Sequence, residues 1–285
     1  MNIPAEFRNF SPSSLLETPE LQNFIKNRQA GLNEMPRDIL EKMAGIIRSS
    51  TVLTGITFDG GVIAGADGQS TDTRGLEIAD DQAPKLHQVA PHTVIGMTGS
   101  SAQCDELARI IEEVLRVDEA INQFADTPLT TEGTVGRVSM VVRQNLPLVA
   151  YYGLIAIPLL TTINKETGEG KVYHYDAVGG YSDATEGFWA DGCGGPNAKG
   201  IFRGNTKDIA KGLSKDAAIM LTVHALAKTC HVNAGCGGKL LVKVITKQDG
   251  IVDVSQDRIA EICKELGPRV IGTYGLGYPY ATPRE

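Results

Sequence analysis

The feature that most restricts the fold is a predicted hairpin that begins at Thr51. Two short β-prone runs, Thr51–Phe58 and Gly61–Ala66, are separated by Asp59-Gly60-Gly61, which is typical of a tight turn. The first run begins with a hydroxyl residue, and Asp67, a carboxylate, follows the second. The hairpin therefore predicts an antiparallel strand pair that starts with a hydroxyl group and ends with a carboxylate.

The rest of the chain predicts further strand pairs, with helices between them. The β-prone runs are Leu86–Val89 with Thr93–Met97, Pro147–Leu160 with Lys171–Asp176, and Leu240–Thr246 with Ile251–Val254. Apolar residues at helical spacing predict a helix that begins at Ser100 or Ser101, and further helices at Thr131–Arg143, Asn197–Arg203, Asp216–Lys228 and Gln256–Leu266. This order favours an antiparallel α+β layered domain over alternating βαβ units.

Residues 1–50 differ in composition from the rest of the chain and show no sustained period. Two short amphipathic helices are predicted within them, at Thr18–Arg28 and Met35–Ile47. One interpretation is an ordinary N-terminal extension, and the other is a segment that is removed. If the bond after Ser50 were cut, Thr51 would carry a hydroxyl nucleophile and an amine base in one residue.

Composition excludes several classes of function. The net charge of −7 gives no electrostatic basis for binding nucleic acid. No run approaches the ~18 consecutive apolar residues of a membrane span, and a signal-peptide pattern is lacking, so we expect a cytoplasmic protein with no membrane partner. Five widely spaced cysteines indicate reduced thiols rather than a disulfide framework: Cys104, Cys193, Cys230, Cys236 and Cys263.

Short motifs follow one another in a distinctive order through residues 51–265. They include Thr51, the run from Gly60 to Asp67, Ser70-Thr71, Lys85, the run from Gly96 to Ser101, the runs 153–160 and 175–180, and Gly237-Gly238. In this order they resemble the β-type subunits of the 20S proteasome, particularly the bacterial ones of the actinobacterial type. The resemblance implies a four-layer αββα sandwich of two antiparallel sheets, the fold of the N-terminal-nucleophile hydrolases.

The resemblance also implies domain boundaries and partners. Residues 1–50 would be a propeptide, with Glu20–Gln29 as its helical part, residues 51–267 the catalytic domain, and residues 268–285 a C-terminal tail. Seven copies would form a β ring, and two such rings would stack between outer rings of proteasome α subunits (α7β7β7α7). A ring-shaped ATPase would supply unfolded or tagged proteins, and no cofactor is expected.

The same resemblance assigns the catalytic roles. Thr51 is the expected nucleophile and, through its free amine, the base, since an α-amine has an ordinary pKa of about 7.7–8.0. Lys85 would favour deprotonation of the threonine hydroxyl, Asp67 would hold the lysine, and the Gly99 N–H would receive the oxyanion. Thr51 would itself cut the Ser50–Thr51 bond, although the family usually places glycine before the threonine, and Ser50 could slow the attack.

Three supporting residues depart from the family pattern. Cys193 stands in its Gly-Ser-Gly turn, and Asn233 and Cys236 stand in its Asp-x-x-Ser/Thr-Gly-Gly segment. A thiol is a weaker hydrogen-bonding group than a hydroxyl, and asparagine brings no negative charge. Activity could therefore be reduced or retuned. If both cysteines face Thr51, they could form a redox-sensitive pair, or bind metal with Cys230 or His231, although we expect no bound metal.

Specificity is predicted from four residues of the primary pocket. The resemblance implies that Ser70, Ala83, Met97 and Ser101 line it, and Met97 at its base favours an apolar side chain before the cut bond. His87 and His174 lie in no motif and are interpreted as structural.

Three functions remain open from the sequence. The leading hypothesis is an active threonine endopeptidase that degrades unfolded proteins in a closed chamber. The alternative is a structural ring subunit with little or no activity, because of Cys193, Asn233 and Cys236. A stand-alone amidase of the same hydrolase class is the third.

Overall fold

The computed structural model describes residues 51–71, 77–125, 129–147 and 154–271, all of which belong to one compact unit, Ile46–Glu285. The two helices predicted within residues 1–50, the propeptide boundary and residues 272–285 of the expected tail lie outside the described residues. In the described part of the chain, no helix is both long and apolar enough to cross a membrane.

The first sheet contains the predicted hairpin and has the strand order β10-β1-β2-β11-β12, with every neighbouring pair antiparallel. Its strands are β1 (Leu53–Phe58), β2 (Gly61–Asp67), β10 (Phe188–Asp191), β11 (Leu240–Thr246) and β12 (Gly250–Asp253). Strands β1 and β2 pair from Leu53 with Ala66 to Phe58 with Gly61. Gly60 turns the chain between them with φ of 88°, a conformation that glycine adopts without steric cost. The first hairpin prediction is confirmed.

The second sheet has the order β5-β6-β7-β8-β9 and is also antiparallel throughout. Its strands are β5 (Leu86–Ala90), β6 (Thr93–Gly99), β7 (Ala156–Ile163), β8 (Gly170–Tyr175) and β9 (Tyr181–Asp183). A short pair, β3 (Ser70–Thr71) with β4 (Ile78–Asp80), stands apart. The two large sheets pack face to face through a shared apolar cluster that includes Leu53, Val62, Leu159 and Val172.

Helices cover the outer face of each sheet. Helices α1 (Ser101–Phe124) and α2 (Thr131–Gln144) pack on the second sheet, and their apolar stripes form one core with its strands. Helices α3 (Gly195–Gly204), α4 (Thr206–Ala210), α5 (Lys215–Val232) and α6 (Gln256–Ile271) lie on the side of the first sheet, where a second core forms. The predicted four-layer αββα sandwich of the α+β class is confirmed.

The details differ from the sequence prediction at a few places. Ser100 occupies the N-cap of α1, but its side chain makes no capping hydrogen bond. Strand β7 begins only at Ala156, later than the β-prone run from Pro147 suggested, and residues 148–153 lie outside the description. Helix α6 continues past the predicted end at Leu266, with a break at Gly267, where φ is 66°.

Candidate active site

Thr51 lies two residues before the start of β1 and is only 5% exposed. Its carbonyl oxygen accepts a hydrogen bond from the Gly194 N–H at 3.1 Å. Its own nitrogen donates to Cys193 Sγ at 3.4 Å, and this nitrogen is an amide because the chain continues through Ser50. The turn around Cys193 therefore holds both backbone polar groups of Thr51.

Asp67 ends β2, is fully buried and is hydrogen-bonded to Val52, the residue after Thr51. One carboxylate oxygen accepts from Lys85 Nζ at 2.9 Å and from the Val52 N–H at 2.8 Å. The other accepts from the Gly237 N–H at 3.0 Å. Three donors from separate parts of the chain thus fix one carboxylate, and the carboxylate in turn fixes the lysine.

The electrostatics of this pair depend on burial. Removal from water raises the pKa of Asp67 above its usual range, while the positive charge of Lys85 and the backbone N–H donors lower the pKa part of the way back. The Lys85 side chain is itself only 10% exposed. A buried carboxylate without its cation lowers the stability of the folded chain. The two side chains therefore hold one another in place.

Gly99 ends β6 at the point where the chain turns into α1. Its φ is 137°, and a Cβ atom there would lie 1.9 Å from the carbonyl oxygen of Ile155. That same oxygen accepts from the Ser100 N–H at 2.8 Å. Only glycine fits, because a side chain would both strain the backbone and collide with β7.

One cleft brings most of the predicted residues together. It is lined by Thr51, Ser70, Ala83, Pro84, Lys85, His87, Met97, Gly99, Ser101, Cys104 and Asp105. All four residues expected in the substrate pocket are in this set, and so are the expected nucleophile, lysine and oxyanion glycine. Across the cleft, the hydroxyl oxygens of Ser70 and Ser101 are 3.2 Å apart. The roles of these residues remain predictions.

The cleft contains residues that the sequence analysis missed. His87, interpreted there as purely structural, lines the cleft, and its Nε2 lies 3.7 Å from Oδ1 of Asp105. Burial lowers the pKa of His87, so the carboxylate of Asp105 is the main charge that this pair brings to the cleft at neutral pH. Spacing could have found both residues: His87 is two positions after Lys85, which directly precedes β5, and Asp105 is four positions after Ser101 on one face of α1.

His174 lies outside this cleft. Its ring stacks on Trp189 with centroids 3.7 Å apart and 5° between the planes, and Lys199 Nζ lies 3.4 Å from the Trp189 ring centre. The interpretation of His174 as a packing residue agrees with this position.

The three unusual residues form one cluster behind Thr51. Cys193 Sγ is 3.7 Å from Cys236 Sγ, 3.5 Å from the Thr51 carbonyl oxygen and 3.9 Å from Asn233 Oδ1. The Asn233 amide donates to the Cys193 carbonyl at 3.0 Å. Cys193 thus touches Thr51, whereas Cys236 lies behind Cys193 and is buried. A hydrogen bond from the Cys236 thiol lowers the pKa of Cys193 to about 6, and that same bond, together with burial, raises the pKa of Cys236.

The residues considered for a metal do not form a metal-binding cluster. Within the described ranges, no group of three or more His, Cys, Asp or Glu side chains could hold a metal ion. Cys230 packs at the margin of the core under the first sheet, near the end of α5. The structure thus gives no support to a site built from Cys193 and Cys236 with Cys230 or His231.

The family model described as "Proteasome subunit" matches residues 47–245, which include every candidate site residue. The chain belongs to the proteasome subunit family. The match begins just before Thr51 and extends into β11, so the αββα sandwich and its cleft are those of a proteasome subunit.

Several relatives of this proteasome subunit are mycobacterial proteins named proteasome subunit beta. The one from Mycobacterium ulcerans is 31% identical over 227 residues, which cover 76% of this chain and 75% of the relative. The one from Mycobacterium tuberculosis strain H37Ra is 30% identical over 226 residues, which cover 76% of this chain and 75% of the relative. The one from Mycolicibacterium gilvum is 29% identical over 226 residues, which cover 76% of this chain and 72% of the relative.

Proposed function

We propose that this chain is a catalytic β subunit of a 20S proteasome core particle, and that it hydrolyses peptide bonds with Thr51 as N-terminal nucleophile. The observation that carries the proposal is the convergence of Thr51, Lys85 and Gly99 on one cleft, with Lys85 tied to the buried carboxylate of Asp67. The family membership and the similarity to proteins named proteasome subunit beta support it.

The mechanism follows from these groups. The free amine of Thr51 takes the hydroxyl proton as the oxygen attacks the scissile carbonyl, and the Lys85 ammonium stabilises the alkoxide character that develops. The N–H of Gly99 receives the oxyanion of the tetrahedral intermediate, a contribution of about 3–4 kcal/mol for one such donor. The amine then passes the proton to the leaving nitrogen, and water hydrolyses the resulting ester.

Activation requires removal of residues 1–50. While Ser50 is attached, the nitrogen of Thr51 is an amide and cannot accept a proton, so the propeptide keeps the site inactive. Thr51 attacks the carbonyl of Ser50, and hydrolysis of the product releases the mature chain at Thr51. Cys193 accepts a hydrogen bond from this nitrogen at 3.4 Å and would keep that contact with the freed amine.

The proposal includes ring assembly in the cytoplasm. Helix α1 leaves an apolar stripe of Val117, Ile121 and Phe124 exposed, with Phe124 97% exposed, and an exposed apolar surface of this kind is typical of a buried contact in an assembly. Seven copies form a ring, two rings stack between α rings, and a ring-shaped ATPase supplies unfolded or tagged proteins.

A structural ring subunit is the second candidate, and one observation favours it. The side chain that accepts a hydrogen bond from the Thr51 nitrogen is a thiol, 3.4 Å away, and the amide of Asn233 next to that thiol carries no negative charge. A stand-alone amidase is disfavoured by the match to a family of assembling subunits.

One assay separates the first two functions. The chain is purified with its α partner and tested on fluorogenic peptides, beside a Thr51→Ala variant assembled in the same way. A catalytic subunit gives hydrolysis that Thr51→Ala abolishes. Equal rates from both particles would leave only the structural role.

A further inference from the structure

Two cysteines far apart in the sequence meet directly behind the candidate nucleophile. Cys193 lies in the turn after β10, and Cys236 lies in the segment between α5 and β11. Their sulfur atoms are 3.7 Å apart, and neither forms a disulfide in this structure. The S–S bond of a disulfide is about 2.05 Å long, so the two sulfur atoms must approach each other by roughly 1.6 Å for the bond to form.

We propose that Cys193 and Cys236 form a reversible disulfide with a peroxide as the oxidant, and that closing it switches off the site at Thr51. The regulatory half of this inference rests on the proposed peptidase function. The formation of the bond itself does not.

The two thiols differ in the way that such a reaction requires. Cys193 is exposed, and the hydrogen bond from Cys236 lowers its pKa below that of an ordinary thiol, so Cys193 is the more readily ionised of the two. Cys236 is only 4% exposed and is reached through Cys193. Cys193 is therefore the residue that meets the oxidant, and Cys236 is the one that resolves the product.

The chemistry balances with hydrogen peroxide. The Cys193 thiolate attacks one peroxide oxygen, the O–O bond breaks, and sulfenic acid and hydroxide form. The Cys236 sulfur then attacks the Cys193 sulfur and its thiol proton passes to the departing hydroxyl, so the S–S bond forms and the S–O bond breaks with loss of water. Two thiols and one peroxide thus give one disulfide and two waters, and a dithiol reductant reverses the oxidation.

Closure changes the surroundings of Thr51. Cys193 Sγ accepts from the Thr51 nitrogen and lies 3.5 Å from the Thr51 carbonyl oxygen, so a movement toward Cys236 disturbs both contacts. The turn at Gly194 packs closely against Cys236, since a Cβ atom added to Gly194 would lie only 2.8 Å from Cys236 Sγ. The turn therefore has little room to move independently of that sulfur. The Gly194 N–H that holds the Thr51 carbonyl is in this same turn, so the disulfide displaces the nucleophile or its amine.

The test uses particles assembled with the α partner, reduced, freed of reductant, and exposed to dilute hydrogen peroxide. Peptide mapping by mass spectrometry records the linkage, and fluorogenic hydrolysis is measured on the same samples. We expect a Cys193–Cys236 linked peptide and a fall in hydrolysis of at least about 100-fold, the lower end of a general-base contribution. Dithiothreitol should restore both.

Three variants separate this site from other effects of peroxide, each compared with its own reduced form. Cys193→Ser should form no linked peptide, and peroxide should no longer lower its hydrolysis. Cys236→Ser should also form no linked peptide, and after long exposure to peroxide its hydrolysis should not recover with dithiothreitol. Cys263→Ser, a half-buried thiol in α6, is the matched control and should respond as the unmodified chain does.

Absence of the linked peptide would overturn the inference while leaving the proposed function intact. A linked peptide with undiminished hydrolysis would overturn the switch. If the reduced particle had no peptidase activity, the proposed function and the switch would both fail, and the peptide map of the unmodified chain would still decide whether the bond forms.

Discussion

Lys85 has its ammonium beside a carboxylate that water does not reach. Asp67 is fully buried, and Lys85 Nζ donates to it at 2.9 Å. Removing the partner of a buried charge typically costs about 3–5 kcal/mol of stability. The pair is therefore structural as well as catalytic in the proposed mechanism, and the two contributions can be measured separately.

Lys85→Ala should lower peptide hydrolysis by at least about 100-fold, since it removes the ammonium that stabilises the Thr51 alkoxide in the proposed mechanism, and should also lower the thermal unfolding midpoint. The double variant Lys85→Ala/Asp67→Asn should recover much of the midpoint, because the buried charge is gone, yet remain inactive. Lys247→Ala, at an exposed lysine, is the control. Activity that returned with stability in the double variant would contradict a catalytic role for Lys85.

Asp105 adds a negative charge to a cleft that is otherwise predicted, from Met97, to prefer apolar side chains. Its carboxylate is 50% exposed and lies opposite His87, while Met97 is buried at the base. If the chain is a peptidase, a substrate side chain with an apolar stem and a positive end fits both groups. This extends the apolar preference predicted from Met97 alone.

Asp105→Asn should reduce hydrolysis of peptides with lysine or arginine before the cut bond, relative to peptides with leucine there, by about two- to fivefold. This is the effect expected from losing the free energy of one half-exposed ion pair. Glu106→Gln, the next residue of α1, removes the same charge outside the cleft and should leave the ratio unchanged. An unchanged ratio in Asp105→Asn would show that Asp105 does not contact the substrate.

At the scale of elements, two strand ends and two turns make the site. Strand β10 pairs with β1 and delivers the turn at Gly192, whose φ is 82° and where a Cβ would lie 2.2 Å from the Thr51 carbonyl oxygen. Strand β6 delivers Gly99 from the other sheet. The hairpin β1–β2 supplies Thr51 and Asp67 from its two ends, so the cleft forms where the two sheets meet.

Gly99→Ala should cost more than about 2 kcal/mol of stability and abolish hydrolysis, because it strains the backbone and collides with Ile155 at 1.9 Å. Gly136→Ala, in α2 with no atom within 4 Å of its added Cβ, should gain about 0.5–1 kcal/mol. Chemical denaturation of both variants measures the difference. Equal stabilities would contradict the strained geometry of the β6–α1 junction.

At the scale of the whole molecule, the proposed enzyme is complete only after a bond is cut and rings form. The candidate site lies in one chain, but the amine that serves as base is released by cleavage after Ser50. The exposed apolar stripe on α1 is a second sign that the single chain is not the final state.

The assembled particle should therefore contain a β chain that starts at Thr51, as measured by intact mass. Ser50→Gly should speed this processing, because the attacked carbonyl then has no adjacent Cβ, and Thr51→Ala should leave residues 1–50 attached. A particle whose unmodified chain retained residues 1–50 would contradict the proposed activation.

The sequence by itself determined the elements and the family. Hairpins at Thr51 and Leu86 and the apolar stripes of α1 and α2 are local patterns, because turn chemistry and helical spacing act over a few residues. The ordered motifs also marked Thr51, Asp67, Lys85 and Gly99 in advance. Ser70, Ala83, Met97 and Ser101 were predicted on the same resemblance, and all four line the cleft.

Only the tertiary structure decided which side chains meet. It brought Cys193 to 3.7 Å from Cys236 across 43 positions of sequence, and it added His87 and Asp105 to the cleft. Such contacts depend on how strands pair and how layers pack, and these follow from the burial of the whole core rather than from any local pattern. Thr51 could thus be found from sequence, whereas the pairing of the two thiols was only a conditional hypothesis until the folded chain placed their sulfur atoms 3.7 Å apart.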